Sequence, residues 1–267
     1  MNHILITGAS SELGIALCES LVTTFHPTLL TLVARRADVL QSMQQKFSLS
    51  THLLLLDLLQ EEDLHTLCAY IDAKAPELVI NSAGIGLYGH ALLHSIKEQE
   101  NIVQLNTHAL VKISLHAARS LVQKARKGVI VNISSAADRL IYPTFNVYAA
   151  SKSFVSSFSQ GFDAEMKPYG VRVLTSAPGP IATSFKQRAS KGYALQQATS
   201  ALSPSQAAAA ILWQILHAKP YYVFPWQVRY GRLLLDLLPK RWRFALLKKF
   251  LKSSYEEKEL REVISSE

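Results

Sequence analysis

Ser135, Tyr148 and Lys152 offer a hydroxyl, a phenol and an amine, and Lys152 lies four residues beyond Tyr148, one helical turn away on the same face. A cation at that spacing favours the phenolate, so the phenol can exchange a proton nearer neutral pH than its reference value of about 10 allows. A serine hydroxyl beside it can orient a substrate oxygen and stabilise charge growing there. Tyr-x-x-x-Lys arises readily by chance, so its meaning depends on the elements that carry it.

A second set of residues suits phosphate. Thr7-Gly8-Ala9-Ser10-Ser11-Glu12-Leu13-Gly14 follows a short apolar run and opens a helical pattern. Gly8 and Gly14 would let the backbone approach a pyrophosphate, with Ser10, Ser11 and Leu13 where free helix N–H groups bind it. The plain alternative is an ordinary tight turn between strand and helix. Arg35 and Arg36 follow the second apolar run, where a site for an unphosphorylated ribose would favour an acidic residue; guanidinium groups suit a 2′-phosphate. The pattern favours NADP(H), with NAD(H) as the alternative. Asp57 ends the third run and could hold an adenine amino group, and Asn81, Ala83 and Gly84 end the fourth, where small residues leave room for a ribose.

The elements that must position these groups are legible as alternation. Short apolar or β-branched runs span residues 4–7, 28–34, 51–56, 78–81, 128–133, 171–176 and 221–224, and helical patterns start near Leu13, Ala37, Glu61, Ile96 and Tyr148. Continuous apolar strands separated by helices predict a doubly wound α/β fold, a Rossmann-like parallel sheet of seven strands covered on both faces. Ser203 and Pro204 read as the cap and first turn of a helix to about His217, and residues 184–203 as a lid loop. Residues 1–224 are expected to form one catalytic domain and 225–267 a helical extension.

Composition excludes several classes. The 267 residues are 49% hydrophobic and 18% charged, enough apolar material for a large core and unlike a disordered chain. The two cysteines, Cys18 and Cys68, lack the spacing of a disulfide scaffold or a zinc site, which predicts a reducing compartment and no metal. No apolar run reaches the length of a membrane span, and residues 2–6 are too short for a secretory core, so a cytoplasmic protein is expected. Residues 219–252 hold nine Lys or Arg against one Asp, whereas a nucleic-acid binder would spread its basic charge over the fold.

Together these motifs resemble the short-chain dehydrogenase/reductase family of the single-domain kind, over residues 2 to about 224. Ser135, Tyr148 and Lys152 match its catalytic set, Thr7–Gly14 its glycine motif, and Asn81–Gly84 its Asn-Asn-Ala-Gly motif. Asn106 resembles its active-site Asn, and Pro178, Gly179, Ile181 and Thr183 resemble the segment that holds the nicotinamide carboxamide. The resemblance implies that Lys152 bonds the nicotinamide ribose, that Asn106 holds a water leading to solvent, and that the chain forms a homodimer or homotetramer. Two residues depart from the pattern: Ser82 replaces an Asn, and Glu12 replaces the middle glycine. A carboxylate facing the pyrophosphate would repel it, so Glu12 is expected to face solvent from the first helical turn.

The activity so implied is NADP(H)-dependent interconversion of a carbonyl and a hydroxyl, with Tyr148 as general acid and base and Lys152 lowering its pKa. Tyr142, Phe145 and Phe185 flank these positions and, with Tyr193 and Leu195 of the lid, predict an apolar pocket for a small or medium carbonyl or alcohol. Residues 226–238 and 240–252 form two helical patterns around Pro239, the second with Arg241, Lys248, Lys249 and Lys252 opposite Trp242, Leu246 and Phe250. That segment either lies on an anionic membrane surface or packs on its own domain or a second subunit. The rival reading is a membrane-associated or NADP(H)-sensing binding protein that keeps the fold without turnover.

Overall fold

The computed structural model describes residues 1–191 and 201–237, together with Pro239 and Trp242. Strand and helix alternate as β1 (His3–Thr7), α1 (Glu12–Phe25), β2 (Leu29–Ala34), α2 (Ala37–Lys46), β3 (Ser50–Leu55), α3 (Glu61–Lys74) and β4 (Leu78–Asn81). The second half continues with α4 (Ile96–Val103), α5 (Leu110–Gln123), β5 (Gly128–Ile133), α6 (Asn146–Met166), β6 (Val171–Pro178), α7 (Phe185–Ser190), α8 (Pro204–Leu216), β7 (Tyr221–Phe224) and α9 (Trp226–Leu237).

All seven strands pair in parallel in the order β3-β2-β1-β4-β5-β6-β7. The order reverses direction at β1 and β4, so the crevice for a ligand opens where their C-terminal ends diverge. Central strands covered on both sides explain the unbroken apolar runs: every residue of β1 and β4 is buried. Helices α1, α2 and α8 pack on one face through Leu17, Leu21, Leu40 and Ile211, and α3, α5 and α6 on the other through Leu67, Ile71, Leu121 and Phe162.

Local sequence sets the helix starts. Ser11 caps α1 by accepting from the Gly14 amide at 3.0 Å, and Ser203 and Gln206 form a reciprocal capping box on α8 with Pro204 in its first turn. The single helical pattern expected from Ile96 is broken by a π-helical turn, Gln104–Ala109, between α4 and α5. The stretch expected as a lid loop opens with a helix, α7, while Tyr193 and Leu195 lie outside the described residues. The pattern over 226–238 is α9, and that over 240–252 falls outside the described residues apart from Trp242.

Candidate active site

The turn between β1 and α1 is spliced to its neighbour by close backbone approach. Gly8 adopts φ +67°, and a Cβ there would sit 2.8 Å from the Ala83 nitrogen, while one on Gly14 would sit 2.4 Å from the Gly8 oxygen. Thr7 Oγ1 accepts from the amides of Ser82 and Ala83, both at 3.2 Å, tying the loop after β4 to the loop after β1. Ser11 Oγ also donates to the Gly8 carbonyl at 2.8 Å, which fixes the turn that opens α1.

Basic groups gather at the end of β2. The Arg36 guanidinium donates to the Ser10 carbonyl and, at 3.3 Å, to Ser10 Oγ, and Arg35 pairs with Asp57 at 3.5 Å while remaining largely exposed. Asp57 Oδ1 also accepts from the Leu59 amide at 3.2 Å, so this carboxylate shapes its own turn. Asn81 turns its amide inward, donating to Asn132 at 2.8 Å and Ser114 at 3.2 Å; it joins β4 to β5 and α5 and is not part of the cavity wall.

The catalytic candidates converge at the end of β5. Ser135 ends the strand-to-turn passage, its Oγ accepting from the Ala137 amide at 3.1 Å and sharing a hydrogen bond with the Tyr148 hydroxyl. Tyr148 is buried beneath Phe145, the rings stacked at 4.1 Å. Lys152 Nζ donates to the Ile133 carbonyl at 2.9 Å and lies 5.6 Å from the Tyr148 ring centre. Asn106 in the π-turn accepts from the Ile85 amide at 3.0 Å and donates to the Ile85 carbonyl and to Ser151 Oγ at 2.9 and 3.0 Å. Its side chain therefore holds the loop after Gly84 against α6.

Two expectations about charge are corrected. Burial pushes the Tyr148 phenol up to about 12, the Ser135 bond opposing and Asp138 adding to the rise, so the phenol is held above its ordinary value and not below it. Burial also brings the Lys152 ammonium down to about 8. Glu12 does not face solvent: its Oε1 accepts from the Ser184 amide at 3.0 Å and from the Ser184 hydroxyl, and the residue lines the cavity. Although burial works against its charge, these bonds and nearby Arg188 leave its pKa below the usual carboxylate range. A partnered carboxylate beside a guanidinium adds little net repulsion to the turn.

These residues surround a cavity of about 500 Å³. Ser11, Leu13, Gly84, Ser135, Tyr148, Lys152, Pro178, Gly179, Ile181 and Thr183 all line it. Gly8, Ser10, Gly14, Arg35, Arg36, Asp57, Ala83 and Asn106 lie behind or beyond this wall. Tyr88, Leu140, Tyr142, Phe145 and Phe185 make the wall beside Tyr148 largely apolar.

Sequence reasoning missed the contribution of α9. Val228, Gly231 and Arg232 line the cavity, and a Cβ on Gly179 would come within 2.8 Å of Val228, so the helix packs directly on the loop after β6. The expected boundary at 224 runs through the site. The i, i+3, i+4 spacing of these three residues was readable, but their mixed chemistry hid the face they share. Among the described residues no cluster of side chains could hold a metal ion, and no helix is long and apolar enough to cross a membrane.

A family model described as short chain dehydrogenase matches residues 2–194. Serine 3-dehydrogenase of Rhizobium radiobacter is 30% identical over 185 residues, 68% of this chain and 73% of that protein. The NADP-dependent 3-hydroxy acid dehydrogenase YdfG of Escherichia coli O6:H1 is 27% identical over 220 residues, 79% of this chain and 87% of that protein. A short-chain dehydrogenase from Sphingobium yanoikuyae, solved in complex with NADPH, superposes with a TM-score of 0.78 at 25% identity, covering 90% of this chain and 97% of that one.

Proposed function

The chain belongs to the short-chain dehydrogenase family, and on that premise we propose that it is an NADP(H)-dependent oxidoreductase interconverting a carbonyl and a hydroxyl on a small or medium, largely apolar substrate. The observation that supports this reading is that Ser135, Tyr148 and Lys152 line the same cavity as Ser11, Glu12 and Leu13 at the start of α1.

The residues present fit the dinucleotide. Neither Gly8 nor Gly14 has room for a Cβ, Ser11, Glu12 and Leu13 at the start of α1 line the cavity, and Arg35 and Arg36 at the end of β2 offer cations that suit a 2′-phosphate. NADP-dependent activity in one relative and NADPH in the Sphingobium structure support the same preference. When bound, NADP(H) supplies or accepts the hydride.

The chain's own residues manage the proton and the charge. A carbonyl oxygen accepting a hydrogen bond from Ser135 and Tyr148 is oriented and polarised, and as it becomes an alcohol Tyr148 gives up its proton to it. A phenol held near 12 is fully protonated at neutral pH, the state that reduction requires. Lys152, anchored on Ile133, keeps a positive charge near the phenolate that remains. The aromatic wall receives the apolar part of the substrate and excludes water.

The reading predicts that Tyr148→Phe lowers carbonyl reduction by about 10²–10⁴-fold, the usual worth of a general acid, while NADPH titrated by its fluorescence still binds. Undiminished turnover in that variant would remove the mechanism, and NADPH binding without turnover of any carbonyl by the unaltered protein would favour the sensor reading.

Two assembly properties belong to the same proposal. Exposed Val103, Leu115 and Phe154 on α4, α5 and α6 support self-association as a dimer or tetramer. Exposed Trp226, Tyr230, Leu233 and Leu234 on α9, within the basic segment, support contact of residues 226–252 with an anionic membrane surface. Sedimentation with anionic vesicles should occur at low salt and fade as salt screens the attraction; failure to sediment at low salt removes the membrane contact.

A further inference from the structure

Arg232 is a buried guanidinium in the wall of the cavity, 7% exposed, on a helix whose neighbouring Leu233 and Leu234 are exposed. Its Nη2 pairs with Asp138 at 2.9 Å and donates to the Tyr221 hydroxyl at 2.9 Å. Asp138 accepts in addition from Ser156 Oγ and from Tyr221 at 2.9 Å. The carboxylate is thus engaged by three donor groups, while Arg232 Nη1 is buried and has no acceptor among the described residues. Buried donors are nearly always paired, and a guanidinium is built to grip two oxygens in a fork.

The position of this unmatched donor is informative. Asp138 lies in the single turn Ala136–Arg139 that Ser135 caps, so the group fixing Arg232 and the group addressing the substrate oxygen belong to one short stretch of backbone. Val228 and Gly231 line the cavity on the same face of α9, and Gly231 has no side chain to cover its neighbour. Lys152 and Arg188 add positive charge to the lining, and Glu12 is already partnered by Ser184. Tyr142, Phe145 and Phe185 add aromatic surface to the same lining.

We infer that Arg232 receives a carboxylate of the substrate, so that the compound interconverted here is a hydroxy or oxo acid with an apolar body. This rests on the carbonyl–hydroxyl reading above and narrows its substrate class. The Asp138 contact presets the guanidinium, and the acid supplies the acceptor that Nη1 lacks.

The test uses the full-length protein loaded with NADPH, which together with an alcohol cannot react, and titrates 2-hydroxyoctanoate, 3-hydroxyoctanoate and the methyl ester of each by calorimetry. At least one acid should bind about tenfold or more tightly than its ester, as expected for a desolvated charge-assisted pair. Arg232→Gln should bring that ratio close to one, and Arg232→Lys should keep part of it. Where Arg232→Gln alone unfolds because Asp138 is left unpaired, Arg232→Gln with Asp138→Asn removes both charges together. Equal affinity of acid and ester in the unaltered protein, or an equal loss for both in the variant, overturns the inference and leaves Arg232 as a tether for α9. Selective binding of the acid with no reduction of any carbonyl compound overturns the redox reading instead and leaves the anion site standing.

Discussion

Burial governs the protonation of Tyr148 and Lys152. Tyr148, held near 12, keeps its proton across the physiological range, whereas Lys152, brought down to about 8, loses its charge just above it. Reduction should therefore be level below pH 7 and decline as pH rises through about 8, when the cation that would stabilise the emerging phenolate disappears. Initial rates across pH 6–10 check this, and Lys152→Met should flatten the profile at a much lower rate. Tyr148 and Lys152 announced the proposed proton chemistry by their spacing of one helical turn, and Ser135 by its place at the end of the fifth apolar run. The sign of the phenol's shift was not legible, since it depends on how much of the fold closes over the ring. Glu12 and Arg232 were hidden for a related reason: each acts through a partner distant in sequence, Ser184 in one case and Asp138 in the other.

Among the elements, the strands were the most legible, because chain buried on both faces admits only apolar residues and so marks its own length. The π-turn Gln104–Ala109 left no such mark. It follows from the commitments of Asn106 to Ile85 and Ser151, which no local periodicity encodes. Helix α7 was missed because six residues span less than two turns, too short for a helical period to declare itself. Two glycines separate constraint from tolerance. Gly14→Ala would drive a Cβ to 2.4 Å from the Gly8 oxygen and 2.7 Å from the Ala9 oxygen, and should cost about 1–3 kcal/mol and weaken NADPH binding. Gly161→Ala, in α6 with nothing within 4 Å of the added carbon, should raise stability by about 0.5–1 kcal/mol in denaturant unfolding.

At the scale of the whole molecule, β1 is the spine of the sheet and its first residue sets an acid limit. His3 bonds Thr31 Oγ1 at 2.8 Å, and burial, partly opposed by Glu77, brings its imidazole down to about 4. An unfolded chain takes up that proton near 6.5, so the stability His3 contributes is complete above that value and drains away as pH falls toward 4. Denaturant unfolding at pH 7 and pH 4.5 should differ less in His3→Gln than in the unaltered protein; an identical difference removes this account. The doubly wound parallel sheet was legible from alternation, but the strand order and the reach of α9 across the 224 boundary were not, the latter because it depends on the docking of Val228 beside Gly179.

The bond between Glu12 and Ser184 joins residues 172 positions apart, and Glu12 lines the cavity. With a dinucleotide in the cavity, this link between the start of α1 and the residue before α7 is expected to act as a brake on its exchange. Stopped-flow release of NADPH from Glu12→Gly should be faster than from the unaltered chain, and an unchanged release rate would leave the brake without a part to play.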